Sequence, residues 1–130
     1  MKRLRWLTPA AVIAIHQELI AGYGGVSGLR ARASLESAVA RPKHLAAYKP
    51  QVTVPELASA YAWGLLRNHP FVDGNKRVAL AAMVVFLDLN GWELTSGEAE
   101  ETATILRAAA SEITERDWNR WVSANSAKKR

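Results

Sequence analysis

With 130 residues, 49% hydrophobic and 22% charged, the chain has the size and make-up of one globular domain, residues 1–130, with a buried core. It has no cysteine, which excludes disulfides and thiolate metal sites, and its longest apolar run, Val78 to Leu87, is too short for a bilayer that takes about 20 residues. The net charge of +5 sits at the ends, in Lys2, Arg3, Arg5, Lys128, Lys129 and Arg130.

Between Trp6 and Ala127, 11 basic residues stand against 12 acidic ones. Basic ends favour solubility and loose anion contacts, but the body is not the basic face of a dedicated nucleic-acid binder. Met1 to Leu7 is followed by Thr8-Pro9 instead of a signal-peptide apolar core. A soluble, cytoplasmic protein with no membrane partner is the expectation.

In chain order the pattern is helical almost throughout. Thr8-Pro9 reads as an N-cap and first helical residue, opening a helix with Val12, Ile15 and Leu19 on one face and closing at Gly22. GYGGVSG, Gly22 to Gly28, is a loop; it lacks the GK[ST] ending and preceding strand of a phosphate-binding P-loop. A short helix around Leu35 to Ala40 is expected to stop at Pro42. Thr53-Val54-Pro55-Glu56 has the form of a capping box, and Gly64 in the helix that follows predicts a close helix crossing.

The next helix runs from near Gly74 to about Leu89, with Asn90-Gly91 as its stop. Apart from Asp88 it is uncharged after Arg77, so it belongs at the centre of a bundle. Thr95 to Glu98 predicts a second capping box, and Trp118, Trp121 and Val122 form the core stripe of a last helix. No stretch keeps a strand alternation; Gln51 to Val54 is too short. The fold class is all-α, about six helices around a central apolar one. His16 and His44 have no metal spacing, so surface or capping roles are the expectation.

The polar cluster ahead of the central helix, RNHPFVDGNKRVA (Arg67 to Ala79), is not explained by packing. A helix N-terminus presents unpaired N–H groups and about half a positive charge, a natural anion site. Gly74 removes a side chain that could keep a phosphate from them, and Asn75, Lys76 and Arg77 add donors. Two cations at that helix end are locally unfavourable, and a bound polyphosphate would compensate them. His69 can take a proton from an attacking hydroxyl at neutral pH, Asp73 suits magnesium, and Phe71 buries its ring to anchor the loop. Singly, each residue has a plainer reading: Asp73 an N-cap, His69 a loop residue, Lys76 and Arg77 a solvated face. Together they meet the requirements of phosphoryl or nucleotidyl transfer.

HPFVDGNKR (His69 to Arg77) resembles the motif of the Doc toxins, the short branch of the Fic/Doc superfamily. GLRARASLESAVARP (Gly28 to Pro42) and FLDLNGWEL (Phe86 to Leu94) resemble the family's N-terminal segment and the stretch after its central helix. The resemblance implies an all-α Fic fold and a bacterial toxin–antitoxin setting. Fic enzymes transfer AMP from ATP to a protein hydroxyl and carry a glycine where this chain has Lys76. The Doc toxins share the lysine and are kinases, with the nucleotide reversed and the γ-phosphate transferred to a threonine of translation elongation factor Tu.

Carried over, His69 is the base, Asp73 holds Mg²⁺, and Gly74 and Asn75 cradle phosphate oxygens of ATP. Lys76 and Arg77 neutralise the transferring group, and Phe71 is an anchor. Ala31 stands where relatives usually have Asp after Gly-x-Arg, and Ser34 where they are commonly apolar. If that Asp supports a helix start or the ligand groove, Ser34 has to substitute for it or that function is absent. The built-in inhibitory pattern of many Fic enzymes is absent: its nearest case, Ser96 to Glu100, is followed by Glu101. Control is therefore expected from a separate Phd-like antitoxin whose C-terminal helix enters a groove. A Fic-like AMP transferase and a silent interaction module are the alternatives.

Overall fold

The computed structural model describes residues 3–130, so Lys2 lies outside the described residues. Six helices follow one another: α1 (Pro9–Tyr23), α2 (Arg32–Tyr48), α3 (Val54–Asn68), α4 (Asn75–Leu89), α5 (Glu98–Ala109) and α6 (Glu115–Ala124). The class is all-α, as expected. None of the described helices is long and apolar enough to cross a membrane.

α3 and α4 form the centre. α3 packs against α2, α4 and α6, while α4 also meets α1 and α5. Local chemistry sets the helix starts. The Thr8 side chain accepts from the Ala11 N–H, and Thr53 and Glu56 complete the capping box that opens α3. Gly64 provides the close crossing: a Cβ there would stand 3.3 Å from the Cα and Cβ of Ala38 on α2. Trp118 is fully buried, and its indole N–H donates to the Ser59 carbonyl at 3.1 Å, fixing α6 on α3.

Several boundaries differ from expectation. α2 does not stop at Pro42 but runs through it to Tyr48. Leu35, Ala38, Val39 and Pro42 form one buried face at i, i+3, i+4 and i+7, and packing of that face outweighs the roughly 3 kcal/mol cost of an interior proline. α5 has no capping box from Thr95 to Glu98: Gly97 is its N-cap, and the Thr95 N–H instead donates to the Asn125 carbonyl. Two short strands also exist, β1 (Trp92–Leu94) and β2 (Ser126–Lys128), paired antiparallel with Trp92 opposite Lys128 and Leu94 opposite Ser126. Three residues per strand are too few for alternation to register in the sequence.

The basic C-terminus is accordingly built in, not loose. Lys128 lies over the Trp92 ring, and Lys129 pairs with Asp88. At the other end Asn90 clasps both backbone groups of Arg5, and the Leu7 N–H donates to the Tyr61 hydroxyl at 3.0 Å. Arg5 and the Lys128–Lys129 pair thus lie at the far end of α4, away from its N-terminal mouth.

Ala31 is the N-cap of α2 and supplies no side-chain cap bond; Ser34 does not replace it. Ala31→Asp should therefore raise unfolding stability by about 1 kcal/mol in a urea titration. An unchanged midpoint would mean that the first-turn N–H groups of α2 already have partners.

Candidate active site

α3 ends at His69, whose left-handed backbone (φ 45°, ψ 58°) turns the chain out of the helix. Such a conformation is uncommon for a residue with a Cβ and needs its surroundings to hold it. Arg30 does this. Its Nε donates to the His69 carbonyl at 2.8 Å and its Nη2 to the Asn68 carbonyl at 3.0 Å. The backbone around it joins in: the Arg30 and Ala31 N–H groups both donate to the Pro70 carbonyl, and the Val72 N–H donates to Gly28. A bridge between Leu29 and Phe71 completes a short antiparallel clasp. The His69 side chain stays exposed beside it.

Phe71 is buried, 2% exposed. Its ring stacks on His16 of α1 at 3.9 Å between centroids and 8° between planes. His16 is 2% exposed, and its Nε2–H donates to the Asp73 carbonyl at 2.7 Å. A surface or capping role for His16 is thus corrected: it is buried under the motif. Nothing within α1 signals this, because the partner lies 57 positions away in the chain. His44 is exposed.

Asn75 was expected to offer its side chain to a phosphate. Instead its Oδ1 accepts from the Phe71 N–H at 3.0 Å and its Nδ2 donates to the Phe71 carbonyl at 2.9 Å, so it locks the loop and leaves only its backbone N–H for a ligand. Gly74 also acts differently from expectation. A Cβ there would point at His16 and Ile20 of α1 in ordinary contact, so it would not screen the helix mouth. The glycine is needed for its backbone, φ +77°, which turns Asp73 into α4.

The Asp73 carboxylate accepts from the N–H of Val26 at 3.0 Å and of Gly74 at 2.8 Å. These two bonds, helped by the Arg77 charge, hold its carboxyl below the ordinary aspartate range, so it is ionised at neutral pH. The glycine loop reaches it only because residue 25 has no side chain: a Cβ at Gly25 (φ +114°) would come within 2.7 Å of the carboxylate. Beyond Asp73, the first turn of α4 leaves the N–H groups of Asn75, Lys76 and Arg77 without helix partners. Arg77 lies over the Tyr23 ring at 4.5 Å, whereas Lys76 is exposed and makes no hydrogen bond or ion pair among the described residues.

Asp73 to Arg77 open into a groove of about 730 Å³ that follows α4 between α1 and α5. Its floor is apolar, with Leu80, Val84, Ile105 and Leu106; its α5 rim carries Glu98 and Glu101. Burial pushes the Glu101 carboxyl up against the opposing bond from Ser96, and the like charge of Glu98 adds to the rise. α4 is therefore central without being covered all round: Val84 is 40% exposed on this open side. No group of three or more His, Asp or Glu side chains that could hold a metal exists among the described residues. Asp73 alone fits a magnesium ion that takes its other oxygens from phosphate and water, the usual arrangement for that cation.

Two outcomes follow for this loop. Asn75→Ala leaves the Phe71 N–H short of its partner and should lower stability by about 1–2 kcal/mol in urea unfolding; no loss would mean that the loop is held without it. Because folding lowers the Asp73 pKa, the tether to Val26 is fully present above the ordinary carboxylate value and is lost as pH falls through the folded one. Hydrogen exchange at the Val26 amide should accordingly quicken in Asp73→Ala at neutral pH, and unaltered exchange would exclude the tether.

The chain matches the Fic/DOC family over residues 6–87. It is similar to a protein named Protein kinase doc from Escherichia phage P1, 31% identical over 111 residues that make up 85% of this chain and 87% of that one. It is also similar to Toxin Doc of Mycolicibacterium smegmatis, 41% identical over 83 residues, 57% of this chain and 58% of that protein. The family match takes in α1, α2, α3 and most of α4, the elements that clasp the loop and carry the cluster from His69 to Arg77. This chain belongs to the Fic/DOC family.

Proposed function

We propose that the protein is a Doc-type toxin, a kinase that transfers the γ-phosphate of ATP to a threonine hydroxyl of translation elongation factor Tu and so arrests translation in the cytoplasm. The observation that carries this reading is Lys76: an ammonium at the second position of α4 with no hydrogen bond or ion pair among the described residues, beside the N–H groups of the first turn and one turn from Asp73. A cation at a helix N-terminus repels the helix dipole, and a polyphosphate removes that conflict. The relative from phage P1 is named a protein kinase, and the smegmatis relative a toxin.

In the proposed reaction the exposed His69 imidazole accepts the proton of the target hydroxyl. The hydroxyl oxygen forms a bond to the γ-phosphorus as the bond to the β–γ bridging oxygen breaks, and ADP leaves with that electron pair. Asp73 would hold the magnesium ion, which would supply charge neutralisation for the phosphates. The N–H groups of Asn75, Lys76 and Arg77 would bind phosphate oxygens, with the Lys76 and Arg77 side chains countering charge on the group in transit. Positioning and electrostatics are the main sources of rate in such transfers, which suits a mouth made of backbone donors and cations.

The same groove suits the partner of a toxin. Its apolar floor beside Val84 and Leu106, 47% exposed, would take the amphipathic C-terminal helix of a Phd-like antitoxin. Because Lys76 and Arg77 line that groove as well, a helix lying there would sit at the nucleotide mouth and hold the enzyme inactive.

Incubation with elongation factor Tu and γ-labelled ATP should label the factor; label arriving only from α-labelled ATP would contradict the kinase reading in favour of AMP transfer. His69→Ala should lower transfer by at least about 10³-fold while the thermal midpoint stays within a few degrees, because the side chain is exposed. Lys76→Gly should weaken phosphate transfer by roughly 10²-fold, and full activity would remove the role given to the lysine. Leu106→Glu should weaken the antitoxin complex by about tenfold or more in calorimetry; unaltered affinity would put the antitoxin elsewhere.

A further inference from the structure

His16 is buried in the middle of α1, away from the motif in sequence, yet it touches that motif at two points. Its ring lies flat on Phe71 at 3.9 Å, and its Nε2 is 2.7 Å from the Asp73 carbonyl. A carbonyl oxygen only accepts, so Nε2 carries the proton and the bond is a donation from the imidazole. If the position needed only volume, leucine or phenylalanine would fill it without burying a polar ring. The two contacts bracket the turn from Phe71 to Asp73, one at the ring that anchors it and one at the peptide that ends it.

That peptide has leverage. The Asp73 carbonyl belongs to the same planar unit as the Gly74 N–H, which the Asp73 carboxylate accepts at 2.8 Å. Gly74 itself takes φ +77°, a conformation open to glycine, and caps α4 without a side-chain bond. The orientation of this one unit therefore sets both where the carboxylate points and where the first turn of α4 begins. On the opposite side of the loop, Arg30 holds the carbonyls of Asn68 and His69 but reaches no further. Between Val72 and Gly74 the only side chain of α1 that hydrogen-bonds the loop, among the described residues, is His16.

We propose that His16 is a positioning residue of the phosphate site: by donating to the Asp73 carbonyl it fixes the peptide that aims the Asp73 carboxylate and the α4 N–H groups at a common point. It touches neither substrate nor metal and acts through Asp73. This rests on the phosphate-site reading above, and the experiment separates the two.

The test compares His16→Phe, which keeps a flat ring on Phe71 and loses the donor, with His16→Gln, whose amide N–H has a similar reach. Binding of a non-hydrolysable ATP analogue is measured by calorimetry over a range of Mg²⁺ concentrations, with thermal unfolding in parallel. The expectation for His16→Phe is a folded protein whose Mg²⁺ half-saturation rises by about tenfold, the scale of one lost buried hydrogen bond. His16→Gln should recover most of that loss, which mere packing would not predict. If His16→Phe does not fold, His16→Met serves as the donor-free variant, since methionine adapts to irregular space. A donor-free variant that binds like wild type overturns the proposal, as does a glutamine variant no better than it. A wild-type protein that binds no nucleotide overturns the phosphate site itself, and this inference with it.

Discussion

The site depends on how the backbone from Asn68 to Gly74 is held. It begins and ends in left-handed conformations, at His69 and Gly74; the first is costly for a residue with a Cβ and persists only where its surroundings hold it, while the second is open to glycine. Arg30 and the segment from Gly28 grip one side, while His16 and the Phe71 ring grip the other. Asn75 then ties the first residue of α4 back to Phe71. Remove this grip and the exposed imidazole at the end of α3 has no fixed relation to the N–H groups at the start of α4.

The electrostatics of the groove come from two helices that treat the dipole oppositely. α5 starts with Glu98, Glu100 and Glu101, which complement its positive end. α4 starts with Lys76 and Arg77 and has no acid in its first turn. The local cost at α4 is offset only in part, by the Asp73 carboxylate just ahead of the helix and by the cation–π contact of Arg77 with Tyr23. A groove with one cationic mouth and one acidic rim over an apolar floor can orient an elongated ligand, because each end meets a different charge.

Much of this was legible in the sequence, for definite reasons. Helix content followed from period and caps: Thr8-Pro9 and Thr53 to Glu56 act as read. So did the close crossing at Gly64 and the burial of Phe71. Misread elements were those decided by distant partners. Pro42 is carried inside α2 by packing on α3, and Thr95 is drawn away from helix capping by Asn125. The strands pair across 34 positions, too short to leave a local mark. A capping box at Thr114 to Asp117 opens α6 with Asp in place of the Glu or Gln that marks the pattern in sequence. At the site, the residue types and their cluster could be read, but not the division of labour. Asn75 and Gly74 turn out to shape the loop, and Arg30 and His16, far off in sequence, hold it.

The proposed reaction needs a nucleotide's phosphates in the mouth of α4, within reach of His69. A crystal structure of the protein with Mg²⁺ and a non-hydrolysable ATP analogue tests it most directly. The account requires phosphate oxygens at the N–H groups of Asn75 to Arg77, the metal on the Asp73 carboxylate, and the terminal phosphate facing the His69 ring. A nucleotide bound elsewhere on the chain, with that mouth left vacant, would contradict it.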